Sequence, residues 1–314
     1  MAVPVVIDTD PGIDDAVALW WALTSPAVDV VAVTAVHGNV GVGLAAANAA
    51  RILEAAGRPD IPVAVGEATA LGLAPVRDTP AWIHGADGLG EVGLDPAPFG
   101  PVDEAASALL ARLVHERPGE VAVVALGPLS NLAAVIRADP DWAAAVGQLV
   151  VRGGSVAVGG NATPAAEANI AHDPDAAAIV LGAPWRSTPL LVTLDATHEA
   201  TMGADELALA REHRTPAAAF CDGPLRFYRN AVGSPTGECS CHDLLAVLAL
   251  EDPSYVGGDV VPVAVHTGAG PAWGAVVVDR RRGREPVAGF CPWRVSLGAD
   301  VRRFRAAARR LFGA

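Results

Sequence analysis

The sequence predicts an α/β fold: a mainly parallel open sheet flanked by helices, Rossmann-like in layout, with its site at the carboxyl ends of the strands. Three observations lead there. Short Val/Ile/Leu runs bounded by turn residues recur along the chain. Ala/Leu-rich stretches of helical length lie between them. The runs are apolar almost throughout, as expected of strands covered on both faces.

Taken in order, Val3 to Ile7 reads as the first strand, followed by a helix from Asp15 to Leu23. Val28 to Val36 is the second strand, and Leu44 to Ala56 its helix. The Gly/Pro-rich segment Glu67 to Pro101 exceeds a simple connection, which marks it as functional. A helix from Ala105 to Glu116 precedes the third strand, Val121 to Leu126, and a helix from Leu129 to Ala138 follows it. Gln148 to Val151 and Leu190 to Leu194 are the fourth and fifth strands. Between them, Asp173-Pro174 supplies an N-cap and an N1 proline for a helix through Asp175 to Leu181. A helical pattern runs from Ala217 past Phe227 and Tyr228, and a second long loop spans Asn230 to His242. Strand candidates Asp259 to Val265 and Gly274 to Val278 follow, and an Arg-rich amphipathic helix, Asp300 to Phe312, ends the pattern. With no repeat or linker, residues 1–314 are expected to form one domain.

Composition excludes several functions. The net charge of −13 argues against a nucleic-acid partner. All 22 basic residues are arginine, so Schiff-base chemistry and a P-loop lysine are absent. The run Arg280-Arg281-Arg282, with Arg284, reads as a solvated turn between strands. No uncharged apolar stretch reaches the ~18 residues a membrane helix needs, and Met1-Ala2-Val3-Pro4 lacks a basic leader pattern, so the expectation is a cytoplasmic protein. Cys221, Cys239, Cys241 and Cys291 are too sparse for a disulfide scaffold. Cys239-Ser240-Cys241-His242 has no second cysteine pair at zinc-site spacing.

The chemistry concentrates in Asp8-Thr9-Asp10-Pro11-Gly12-Ile13-Asp14-Asp15, directly after the first strand. One or two such acids would be helix caps and dipole partners. Four this close repel unless a cation compensates. Oxygen ligands without cysteine suit Ca²⁺ or Mg²⁺. Such an ion acidifies a water whose proton a neighbouring carboxylate can take. A Mg²⁺-dependent phosphotransferase with an Asp-x-Asp nucleophile is the competing reading, but it wants a lysine at the phosphate.

Five further motifs follow in order: His37-Gly38-Asn39; His84-Gly85-Ala86-Asp87-Gly88-Leu89-Gly90; Leu126-Gly127-Pro128-Leu129-Ser130-Asn131; Gly160 to Asn169 followed by Asp173-Pro174; and His242-Asp243 at a helix start. Together with the acid block they make the chain resemble, over nearly its whole length, the inosine-uridine-preferring nucleoside hydrolase family. The resemblance implies hydrolysis of ribonucleosides to free base and ribose, a Ca²⁺ cofactor, and a homodimer or homotetramer. It implies Asp10, Asp15, the Leu126 carbonyl and Asp243 as calcium ligands, with Asp10 also the base that activates the attacking water. Asp14, Asn39, Asn161, Glu167 and Asn169 would hold the ribose, His84 would lie beside the nucleobase, and His242 would protonate the leaving base. Asp8 would orient the metal cage from behind.

Elementary chemistry agrees with these roles. N-glycosidic cleavage passes through an oxocarbenium-like ribosyl cation, as glycoside hydrolysis does. An acidic pocket stabilises that charge, and carboxylate and amide groups grip sugar hydroxyls more strongly as the ring distorts. A departing base needs a proton that a histidine can carry. His37 reads as packing or capping at a strand end. Trp82, Phe227 and Tyr228 are open between base contact and packing. Base preference falls to the segments Glu67 to Pro101 and Asp222 to Cys241, and does not follow from their residues. A catalytically silent nucleoside-binding protein would need a broken acid cluster, yet Asp10, Asp14, Asp15 and Asp243 are all present.

Overall fold

The computed structural model describes residues 2–72, 79–232, 237–281, 284–285 and 287–314. Arg282 of the basic run and parts of both long loops, 73–78 and 233–236, lie outside the described residues.

Among the described residues nine strands form one sheet. In chain order they are β1 (Val3–Thr9), β2 (Val28–Ala35), β3 (Val63–Val65), β4 (Ala122–Ala125), β5 (Gln148–Arg152) and β6 (Leu190–Val192). A separate antiparallel pair, β7 (Thr201–Met202) and β8 (Cys239–Ser240), follows. The last three strands of the large sheet are β9 (Val256–Val265), β10 (Val276–Val278) and β11 (Cys291–Ala299). Their spatial order is β10-β9-β11-β6-β5-β4-β1-β2-β3. Every pairing from β3 across to β11 is parallel, and only β9 against β11 and β10 runs antiparallel.

The apolar strands alternate between two cores. Val5, Ile7, Val124, Val150 and Val192 face one layer, and Val6, Val123, Val151 and Leu191 face the other. Helices Ile13–Thr24, Val42–Ala55, Pro216–Val232, His242–Glu251 and Val301–Leu311 cover the first layer. Helices Ala106–Glu116, Ser130–Ala138 and Pro174–Leu181 cover the second. Asp173 caps the last of these by accepting from the Ala176 N–H, with Pro174 in the first turn. The fold is therefore the expected mainly parallel, doubly covered sheet. Among the described residues no helix is long and apolar enough to cross a membrane.

The chain leaves β1 toward β2 and β3 on one side, then returns to build β4, β5 and β6 on the other. β1 and β4 thus flank the point where strand order reverses, and ligands of open α/β sheets bind outside the carboxyl ends there. Asp10, Leu126 and Arg152 all sit at those ends.

The structure adds elements that the apolar pattern hides. β11 was not legible because Pro292, Arg294 and Ser296 interrupt its run. Its fully buried apolar side chains are Trp293 and Val295, and Pro292 faces Pro262 across the pair. β3 and β7 are too short to show a period. β5 extends one residue beyond the expected Val151, to Arg152, and that residue matters below.

Candidate active site

The acid block straddles a strand end and a helix start. Asp8 is buried near the end of β1, where Thr34 Oγ1 and Asn131 Nδ2 donate to its Oδ1 at 2.6 and 2.7 Å. Burial pushes its carboxyl up to about 7, against those two donors. Asp10 accepts the Asn39 N–H at 2.6 Å through Oδ2, while its buried Oδ1 has no hydrogen-bond partner. Burial first, and then the charge of Asp15, push the Asp10 carboxyl well above its usual range.

Two glycines make room for Asp10. A Cβ on Gly38 would lie 1.9 Å from Asp10 Oδ2, and one on Gly127 would lie 2.7 Å from Oδ1. The His37-Gly38-Asn39 and Leu126-Gly127-Pro128 turns are therefore walls of the carboxylate's slot. Asp15 sits in the first turn of helix Ile13–Thr24 and accepts from the Gly12 N–H at 2.9 Å and Asn39 Nδ2 at 3.1 Å, with Thr9 Oγ1 also bonded to it.

Helix His242–Glu251 packs against helix Ile13–Thr24, and this packing carries Asp243 to the cluster from the far end of the sequence. Asp14, Asp15 and Asp243 each offer an oxygen within 4.8 Å of the others. Asp10 is not in that trio, but its charge raises the Asp243 carboxyl along with those of Asp14 and Asp15, after burial. Buried carboxylates that push one another's pKa values up, with Asp10 Oδ1 and Asp243 Oδ1 lacking hydrogen bonds, are a fit for a hard cation. The Leu126 carbonyl lies at the same end, where it accepts Asn169 Nδ2.

These groups meet a cavity of about 840 Å³. Asp14, Asn39, Leu126, Asn161, Asn169 and Asp243 line it, together with Trp82, His84, Tyr228 and His242. Asp10, Asp15 and Glu167 are not on its wall. Glu167 caps helix Ala168–His172, with Oε2 accepting the Ile170 and Gly154 N–H groups at 3.2 and 3.0 Å, and its Oε1 is taken by Arg152. Asn161 Oδ1 accepts the Ala168 N–H at 2.9 Å, and Asn169 Nδ2 also reaches the Arg152 carbonyl at 3.2 Å.

His84 Nδ1 accepts the Ile13 N–H at 3.1 Å, and its ring stacks on Tyr228 with centroids 5.6 Å apart. Burial, helped by Arg152 and opposed by Asp15, pushes His84 down to about 4. Tyr228 is buried while Trp82 is 69% exposed at the mouth, so of these two the tyrosine is the one fixed in place. Phe227 packs against the core beside the cavity. His242 Nδ1 is 2.8 Å from Thr197 Oγ1. Burial, reinforced by Arg152, His198 and His84, holds its pKa well below the usual value. His37 packs as expected, 3.0 Å from Ser130 Oγ. Cys239 and Cys241 are buried and free, and Cys241 closes the start of the His242 helix. Arg280 and Arg281 are exposed between β10 and β11, the latter paired with Asp279.

Among the residues that the sequence reading missed, Arg152 and His198 line the cavity and Thr197 stands against His242. Arg152 had one available signal, a charge ending a buried strand at the carboxyl edge. Thr197 ends the short helix after β6 and His198, 5.9 Å from the His242 ring, follows it, and neither carries a sequence signal.

Comparison with known proteins agrees with this geometry. The family model described as inosine-uridine preferring nucleoside hydrolase matches residues 5–306. A probable uridine nucleosidase 2 of Oryza sativa subsp. japonica is 36% identical over 316 residues, covering 98% of this chain and 92% of that one. A protein of the same description from Arabidopsis thaliana is 45% identical over 203 residues, 64% of this chain and 62% of its own length. The solved structure of a plant nucleoside hydrolase, the PpNRh1 enzyme, superposes with a TM-score of 0.93 at 35% identity over 100% of both chains. Acids brought together from both ends of the chain beside a cavity, on this sheet and with these relatives, lead to one conclusion: the chain belongs to the inosine-uridine preferring nucleoside hydrolase family.

Proposed function

We propose that residues 1–314 act as one calcium-dependent hydrolase domain that cuts the N-glycosidic bond of ribonucleosides, releasing free base and ribose. The observation that carries this reading is the meeting of Asp14 and Asp15 with Asp243 beside a cavity that His84 and His242 also line. Asp10, Asp15, the Leu126 carbonyl and Asp243 would hold the calcium ion. When bound, the ion supplies an acidified, oriented water.

The chain's own groups do the rest. Asp10 Oδ1, buried and unpartnered, takes the proton of the attacking water. Asp14, Asn39, Asn161 and Asn169 grip the ribose hydroxyls. Glu167 has three of roughly four acceptor positions filled by protein donors, which leaves one for a hydroxyl. The surrounding carboxylates stabilise the oxocarbenium-like charge at the anomeric carbon. At the base, His242 Nδ1 lies 2.8 Å from the Thr197 hydroxyl, which leaves Nε2 as the ring nitrogen for the departing base, and the protonated ring is the form that gives the base its proton. His84, held by the Ile13 N–H and Tyr228, flanks the base. The relatives' uridine nucleosidase names put uridine first in the substrate panel, with inosine and cytidine beside it. A homodimer or homotetramer in the cytoplasm completes the proposal, and light scattering of the pure protein checks the assembly.

The test is to incubate the protein with uridine, inosine, cytidine and a panel of phosphoesters, and to assay reducing sugar and phosphate. Ribose from nucleosides is the expected product. Phosphate release without free ribose would replace this reading with the phosphotransferase.

A further inference from the structure

Arg152 is the one buried arginine among the described residues, and it stands inside the acid cluster. Its guanidinium pairs with Glu167 on one side and lies 3.3 Å from Asp243 Oδ1 on the other, at ion-pair distance. Those partners belong to different parts of the site: Asp243 to the acids that converge from both ends of the chain, Glu167 to the cap of helix Ala168–His172 beside the sugar-side amides. Burial opposes the arginine's charge, but Glu167, Asp243, Asp14 and Asp15 together hold its pKa above the ordinary value. A guanidinium keeps its charge in any case. It is therefore a permanent positive charge set against five buried carboxylates, those of Asp10, Asp14, Asp15, Asp243 and Glu167.

We propose that Arg152 is a resident counter-cation of the acid cage: its guanidinium, bridging Asp243 and Glu167, competes with the divalent ion for Asp243 and ties occupancy of the cage to the sugar pocket. The inference rests on reading the acids as a cation cage. Two consequences follow from Coulomb's law in a water-poor site. Without metal, Arg152 offsets part of the repulsion among the acids and keeps Asp243 turned toward them. With metal, a fixed like charge a few ångströms away weakens the ion's binding. Arg152 is in this sense a positioning residue, since it acts through Asp243 and Glu167 rather than on the reacting atoms.

The experiment uses the full chain, stripped with chelator, and the variants Arg152→Met, Arg152→Gln and Arg152→Lys. Calcium is titrated by calorimetry, melting is followed with and without chelator, and kcat and KM are measured on uridine. The neutral variants are expected to bind calcium about tenfold more tightly than the wild type. They should also lose more thermal stability than the wild type when chelated, and show a raised KM because Glu167 loses its partner. Arg152→Lys, which keeps the charge, should bind calcium within about threefold of the wild type. Should Arg152→Met not survive stripping, Arg152→Gln titrated from its calcium-loaded form against a competing chelator dye yields the same constant. Calcium affinity in Met and Gln variants equal to or weaker than the wild type would overturn the proposal. A wild-type chain that binds no calcium would instead overturn the cage reading beneath it, so the two failures are told apart.

Discussion

The hydroxyl of Thr197 lies 2.8 Å from Nδ1 of His242, which leaves Nε2 as the only ring nitrogen free for the cavity. The ring orientation of the proposed leaving-group donor is thus held by a residue outside the recognised motifs. Thr197→Val should slow uridine or inosine hydrolysis by about tenfold, since one neutral hydrogen bond is worth roughly 1 kcal/mol and correct orientation adds to it. Steady-state rates with uridine and with p-nitrophenyl riboside check it, and the effect should nearly vanish on the riboside with its good leaving group.

His242→Ala should show the same pattern with larger amplitude, about 10²-fold or more on inosine. An equal loss on inosine and on p-nitrophenyl riboside would remove His242 from the role of acid.

Asp10→Asn should abolish turnover, by about 10³-fold or more, with the circular dichroism spectrum unchanged. Its carboxylate is bonded only through Oδ2 to the Asn39 N–H, and the amide oxygen can keep that contact. What it loses is the unpartnered carboxylate Oδ1, the proposed proton acceptor.

Gly38→Ala should damage activity more than stability. Its Cβ would reach 1.9 Å from Asp10 Oδ2, so the carboxylate must move, and a shift near 1 Å costs about 10²-fold in rate. Rate and urea midpoint measured on one preparation separate the two effects.

Much of this arrangement was legible from residue order, and the limits have physical causes. The apolar runs located β1, β2, β4, β5 and β6 to within a few residues, because strands covered on both faces need no polar alternation. β11 was not legible, since Trp293 and Val295 are its fully buried apolar side chains and Pro292 reads as a break. The acid block announced a cation by repulsion alone. That Asp243 joins it depends on helix His242–Glu251 packing against helix Ile13–Thr24, a long-range contact no local pattern encodes, and only the family resemblance anticipated it. The pairing of Arg152 with Glu167 and Asp243 was hidden for the same reason.

His37 gives the pH dependence of stability a sign. Burial, with the positive charge of His172 beside it and Asp173 opposing, pushes its pKa from 6.5 down to about 4. Between those values the unfolded chain binds a proton that the folded chain refuses, so stability falls as pH drops from 6.5 toward 4. His37→Gln, which can keep a hydrogen bond to Ser130, should flatten that slope. Urea midpoints at several pH values across the window read it, and an unchanged slope would assign the acid sensitivity elsewhere.

The account stands on a hard divalent ion held by Asp10, Asp15, the Leu126 carbonyl and Asp243. The most direct measurement is a diffraction experiment on crystals grown with calcium, using anomalous scattering to locate the ion. Calcium at about 2.3–2.6 Å from oxygens of all four residues is the predicted result. Calcium-saturated crystals with no anomalous peak among these residues, and Asp243 turned away from Asp10, would contradict it.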